Sequence, residues 1–431
     1  MQTARAAVLR QTRTPMTIET VQVGPLASGD VLVRVRAASL CHTDLEAIDG
    51  ALAVQLPAVL GHEAAGEIVE VGPDVTELGI GDRVVLSWNP HCGSCFYCDR
   101  AQPILCRQFL ANGPKGFHFD GRPRLTCDAV PVHQLMYLGG FAEFCVVPAQ
   151  SAVRVPDSMP FDRAALIGCG VMTGVGAATR IAALRWGDAA MVIGCGAVGL
   201  SAVQGCVLAG AGTIIAVDPN PARRQLAQAI GATHAVDPAE AADLARTLTE
   251  GRGADVVIEA AGAPAGFRLS VEAVRPGGQV VWLGKVAVGD EVAFRWGSLM
   301  QEKRITRSSY GGAKPQTDFP MLARAYLDGK LKLDEMISAR ISLEQINDGF
   351  AALKRGETVR SVVMFGGRVT KAGAAWMARW SRWTAGRSIP GSISRRSVRP
   401  ATNGPMRATG RTNWPWRSWR TIWATLGALW N

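Results

Sequence analysis

No run of about 18 apolar residues occurs anywhere in this 431-residue chain, which argues against a membrane-spanning helix. The N-terminal stretch "MQTARAAVLRQTRTPMTIE" lacks the unbroken apolar core of a secretory signal. These absences predict a soluble, cytoplasmic protein with no membrane partner. Acidic residues are missing from one segment: residues 367–431 hold twelve Lys and Arg and no Asp or Glu. Setting that segment aside leaves 34 basic against 36 acidic residues, so the formal charge of +10 does not mark residues 1–366 as a nucleic-acid binder. No internal repeat is visible.

The acid-free segment also carries eight of the twelve Trp, without a steady hydrophobic period. Two readings of this basic, Trp/Arg-rich tail stand open. It is a basic arm for nucleic acid or anionic lipid, or an unselected extension such as a shifted reading frame produces. The second is preferred, with poor order and no nucleic-acid partner expected over 367–431.

What remains is ordinary globular composition, 48% apolar and 19% charged, in a chain long enough for two or three domains. Cys92, Cys95, Cys98 and Cys106 fall within the stretch "PHCGSCFYCDRAQPILC". In a reducing compartment their C-x2-C-x2-C-x7-C spacing favours metal over disulfides, and four thiolates close a tetrahedral zinc site with no open position. Disulfides stay possible only for an exported chain.

Residues 1–150 read as short strands broken by Gly and Pro, an antiparallel barrel-like region. Beyond about residue 170, "AAMVIG", "CGAVGLSAVQGCVLAGA" and "TIIAVD" read as strand, helix and strand, and a helix from Pro221 to about Ile230, a helix near Phe267–Val274 and the strands "DVVIEAAG" and "QVVWLG" continue the alternation. This predicts an α/β fold with a doubly wound parallel sheet. From about Ser308 to Phe365 the pattern is mixed again. "GCGAVG" supplies Gly194, Gly196 and Gly199, with Val198 in the same turn, directly after a strand and opening a helix. Such a turn lets backbone approach a pyrophosphate. Asp218, at the end of the next strand, is placed to accept from ribose hydroxyls, which favours NAD over NADP.

A second, scattered set consists of Cys41 in "SLCHTDLE", His62 and Glu63 in "LGHEAAGEIVEVG", and Cys169 in "LIGCGVMTG". Two thiolates and an imidazole would leave a fourth zinc position open, but composition does not show that they converge.

With "GHEAAGEIVEVGPDV", the cysteine lobe and the nucleotide loop in this order, residues 1 to about 366 resemble the zinc-dependent alcohol dehydrogenases of the medium-chain dehydrogenase/reductase family, in its longer, class III-like form. The resemblance implies a GroES-like, mostly-β catalytic domain over 1–170 and 308–366, with a structural zinc lobe at 88–110, and a Rossmann NAD-binding domain over 171–307. It implies a catalytic zinc on Cys41, His62 and Cys169 with Glu63 as accessory carboxylate, and a structural zinc on the four clustered cysteines. His42 would lie near the cofactor pyrophosphate, Thr173 near the nicotinamide, Arg223 near the adenosine ribose and Arg360 near a phosphate. The long segment between Cys106 and Cys169 is similar to that of dimeric relatives, so a homodimer is expected.

By the same likeness Thr43 takes the alcohol proton, and Trp88 lines the pocket in a way that suits primary, including aromatic, alcohols. Where many relatives carry a relaying histidine this sequence has Glu46, which leaves open whether a carboxylate or water passes the proton onward. Lys285 would fall near the nicotinamide, with no role assigned. The expected activity is reversible, zinc- and NAD-dependent oxidation of a primary alcohol to its aldehyde. S-(hydroxymethyl)glutathione or another thiol–formaldehyde adduct is an alternative substrate, and a zinc- and NAD-binding protein without turnover is a third reading.

Overall fold

The computed structural model describes residues 2–366 apart from Val288; the expectation for residues 367–431 lies outside the described residues. Three sheets organise the described residues. Gln2–Leu9, Thr17–Val23, Leu125–Cys127, Val130–Gln134 and Ala58–Val59 close a small barrel. Thr17–Val23 shows why such strands form, since its buried Val21 and Val23 flank an exposed Gln22.

A seven-stranded sheet is centred on Asp30–Ser39. That strand pairs antiparallel with Ala64–Val71, with Phe144–Pro148 and with Arg360–Met364. Arg360–Met364 also pairs, in parallel, with Ile337–Ile341. The mixed segment near the end of the described chain thus returns to the β-rich part, with Val362 opposite Ser39.

The third sheet is six-stranded and parallel, in the order His234–Val236, Thr213–Val217, Ala189–Ile193, Ala254–Glu259, Val274–Trp282, Arg304–Arg307. Ala189–Ile193 is buried at all five positions, as a central parallel strand covered on both faces requires. The expected α/β class with a doubly wound sheet is met. Two of the strands, His234–Val236 and Arg304–Arg307, and the helix Pro238–Leu248 add to the elements read from sequence.

The helix Phe161–Ile181 is long and apolar enough to cross a membrane by length and composition alone, although the sequence contains no unbroken apolar run. Its apolar stretch is 78% buried inside the fold, so core packing accounts for its composition. Among the described residues it is the one helix with that property.

Candidate active site

Strand register assembles the scattered set. The Ser39 N–H donates to the Glu63 carbonyl and the Leu40 N–H to the Ser361 carbonyl, at 2.8 and 2.9 Å. Three chain segments therefore run together just before Cys41, which then caps the helix His42–Asp49. Cys169 comes from a π-helical turn, Ile167–Val171, within the long core helix. A widened turn of this kind commonly sits at functional sites. The result places donor atoms of Cys41, His62, Glu63 and Cys169 within 4.8 Å of one another.

Asp44, which the sequence reading passed over, organises this cluster. It is wholly buried and accepts from Gly61 N at 2.9 Å and from Cys41 N at 3.3 Å, while His62 Nδ1 lies 3.1 Å from its Oδ1. That contact orients the ring and leaves His62 Nε2 for the cluster, buried and without a partner among the described residues. Arg360, assigned by resemblance to a cofactor phosphate, is buried against the same cluster and donates to Glu63 Oε1 at 2.9 Å. Glu63 Oε2 has no partner among the described residues.

The electrostatics describe crowded donors. Cys41 is held well below the ordinary thiol range, chiefly by the hydrogen bond from Cys169 and against its burial. Cys169 is pushed well above that range, first by the same bond and then by burial. Burial disfavours a charged His62, yet Asp44 and Cys41 outweigh it and hold the imidazole well above its usual value. Burial also pushes Glu63 up to about 8 despite the opposing charge of Arg360. Two thiols, an orphaned imidazole nitrogen and an unpaired carboxylate oxygen in one buried spot are a poor core but a good donor set for zinc.

The four clustered cysteines meet the same 4.8 Å criterion. All are free thiols, with Cys95 Sγ 3.6 Å and Cys92 Sγ 4.0 Å from Cys98 Sγ. Backbone N–H groups of Arg107 and Cys98 bring Cys95 down to about 6, while burial and its neighbours raise Cys98 to about 12. An all-sulfur set fits a closed, structural zinc.

On the nucleotide side, Gly194 follows Ile193 with φ +91°, a conformation open to glycine. A Cβ at Gly199 would lie 1.7 Å from the Gly194 carbonyl oxygen, so the helix Ala197–Leu208 packs on the turn only because position 199 is bare. A Cβ at Gly196 would meet nothing within 4 Å, which leaves that side open at the N-terminus of the helix. Val198 lies in the first turn, and its carbonyl would be 2.4 Å from a Cβ at Gly174, so Thr173 sits on a turn packed against the nucleotide helix. Asp218 is anchored by Cys195 N and Asn220 N, both at 2.8 Å. Arg223 Nη2 donates to the Gly356 carbonyl at 3.3 Å.

His42 is exposed and Thr43 and Glu46 are half-buried along one helix. Glu46 forms an ion pair with Lys285 from the nucleotide-binding side. Trp88 is buried, with its ring 4.3 Å from that of Tyr310 and 5.9 Å from that of Phe109. The Tyr310 hydroxyl donates to the carbonyl of Gly168, next to Cys169, and lies 3.4 Å from Ser87 Oγ. Tyr310 carries no sequence signal that would have announced it.

Residues 27–157 match the alcohol dehydrogenase GroES-like domain, and residues 197–327 match the zinc-binding dehydrogenase domain. The chain is 36% identical to a class-3 alcohol dehydrogenase of Cereibacter sphaeroides, over 84% of this chain and 99% of that protein. It is 35% identical to an S-(hydroxymethyl)glutathione dehydrogenase of Paracoccus denitrificans, with the same two coverages. The solved structure of a benzyl alcohol dehydrogenase from Acinetobacter calcoaceticus is similar at a TM-score of 0.80 and 30% identity, over 85% of this chain and all of that one.

Proposed function

The chain belongs to the zinc-dependent alcohol dehydrogenase family, and from that premise we propose that it oxidises primary alcohols, aromatic ones included, to aldehydes with NAD. The observation that carries this reading is Trp88, whose indole lies against Tyr310 beside the segment bearing Cys169. A bulky ring packed beside the segment that bears Cys169 is read as favouring an unbranched carbinol carbon. In the balanced reaction the hydroxyl loses a proton and the carbinol carbon a hydride, giving aldehyde, NADH and H⁺.

Zinc on Cys41, His62 and Cys169 would supply the Lewis acidity that eases loss of the hydroxyl proton, and NAD the hydride acceptor. Thr43 takes the proton, and Glu46, three residues further on the same helix face, passes it toward solvent. Glu63, steadied by Arg360, assists ligand exchange at the edge of the donor set. Gly194, Gly196, Val198 and Gly199 cradle the pyrophosphate, while Asp218 and Arg223 hold the adenosine ribose. His42, Thr173 and Arg360 complete the cofactor contacts. The anchored carboxylate of Asp218 repels a 2′-phosphate, which supports NAD over NADP.

Cys92, Cys95, Cys98 and Cys106 would hold a second zinc, which would stabilise their lobe. The edge strand Arg304–Arg307, with exposed Trp296, Met300 and Ile305 nearby, supports pairing with a second copy and hence a homodimer. Cytoplasmic localisation belongs to the same proposal.

The Paracoccus relative supports a second reading, oxidation of a thiol–formaldehyde adduct. Against it, Lys285, the cation that the resemblance puts near the nicotinamide, is already paired with Glu46. The deciding experiment follows NADH formation by zinc-loaded protein on ethanol, longer aliphatic alcohols, benzyl alcohols, and formaldehyde with glutathione. Turnover of benzyl and other primary alcohols is expected. Activity confined to the adduct would replace the reading, and silence across the panel would leave a binding protein.

A further inference from the structure

We propose that the Glu46–Lys285 ion pair is a clasp across the coenzyme cleft that sets how fast NAD and NADH exchange. Glu46 stands on the helix capped by Cys41, and Lys285 follows the strand Val274–Trp282, 239 residues away in sequence. The two residues therefore tie the metal-donor side to the nucleotide sheet.

Lys285 lies on the rim where the nucleotide binds. A Cβ at Gly194 would be 2.7 Å from Ala261 N, and a Cβ at Gly262 would be 2.8 Å from the Lys285 carbonyl oxygen. The glycine turn, the 261–262 turn and Lys285 thus form one continuous edge. It is the carboxyl edge of the parallel sheet, beside the point between Ala189–Ile193 and Ala254–Glu259 where strand order reverses, and ligands of such sheets bind there. A dinucleotide laid along this edge from Gly194 toward Cys41 and His62 would run beside the pair. The inference rests on the NAD reading of that cleft.

The Lys285 side chain is 46% exposed and that of Glu46 23%, so water and salt reach the pair. A partly exposed pair is weak enough to open on every cycle and worth a factor of about two to five in exchange. High salt should weaken it further.

The test compares wild type, Lys285→Met, Glu46→Gln, the double variant and the exchanged pair Glu46→Lys/Lys285→Glu. NADH dissociation constants are read by fluorescence titration and release rates by stopped-flow mixing, after zinc content is checked. Each single change is expected to speed NADH release about two- to five-fold, the double change no more than either, and the exchange to restore slow release. High salt should bring wild type to the rate of Lys285→Met, a comparison that decides the matter even where the exchanged chain fails to fold. Wild-type release rates in Lys285→Met, or additive effects in the double variant, would overturn the clasp. A changed alcohol KM with unchanged NADH release would also overturn it and give Lys285 to the substrate instead. Absence of NADH binding by wild type would sink the dehydrogenase reading itself, which keeps the two failures apart.

Discussion

Asp44 makes the metal cluster a rigid donor set, because one buried carboxylate holds the Cys41 backbone, the Gly61 backbone and the His62 ring together. Asp44→Asn replaces an acceptor with a group that also donates, so the His62 ring loses its fixed orientation. Zinc affinity at that site is expected to fall about 10- to 100-fold, read by competition with a chelator while circular dichroism reports intact folding. For Glu46→Gln, zinc should stay bound and turnover slow modestly, with a changed pH–rate profile; an unaltered profile would remove Glu46 from the proton path. The four clustered cysteines were legible because their signal is local spacing, whereas Cys41, His62 and Cys169 lie far apart in sequence and came only from the family resemblance. Asp44 had a local signal too, three residues after the capping Cys41, that the reading did not use. The contact of Arg360 with Glu63 spans 297 residues and had no local trace.

At the scale of elements, the glycine turn and its helix behave as one part. Gly199→Ala would drive a methyl into the Gly194 carbonyl. Such overpacking costs about 1–3 kcal/mol, and the displaced turn should weaken NADH binding on the order of tenfold. Titration of NADH fluorescence together with thermal melting checks both effects, and unchanged binding would show that the turn tolerates a side chain. This unit was readable from sequence because strand, turn and helix are contiguous. Pro238–Leu248 was missed although Asp237 caps it, accepting from Ala239 N at 3.2 Å, with Pro238 in its first turn. His234–Val236, three half-buried residues long, offers no periodicity to read. In the π-helical turn, Cys169 is flanked by Gly168 and Gly170, where a Cβ would lie 2.7 Å from the Leu86 carbonyl oxygen and 2.4 Å from Arg360 Nη2, contacts that the sequence does not reveal.

Across the whole molecule, ion pairs join distant segments, and the buried carboxylate of Asp162 is one such junction. It accepts from Arg163 and from Arg340, both at 2.7 Å, and so links the long core helix to the strand Ile337–Ile341. Burial pushes its carboxyl up, but the two arginines outweigh this and hold it below the usual range. A depressed carboxylate lends stability above the unfolded value of about 3.9 and loses it as pH falls through the folded one. Asp162→Asn should therefore cost about 1.5–3 kcal/mol near neutrality, with the gap in Tm to wild type closing below about pH 4. A gap independent of pH would assign the loss to packing. The relatives align to 84% of the chain, so a chain ending at Gly366 is expected to keep its zinc and its turnover. Loss of either would give residues 367–431 a part in the enzyme.

The strand Arg360–Met364 closes against Asp30–Ser39 and delivers Arg360 to Glu63. On the ribosome, the loop bearing His62 and Glu63 emerges long before that arginine does. Until residue 360 is made, Glu63 has no guanidinium beside it and the central sheet lacks the strand that seats next to Cys41. The central sheet is thus completed by a strand made 297 residues after the loop it locks in place, which makes its closure a late, long-range step of folding.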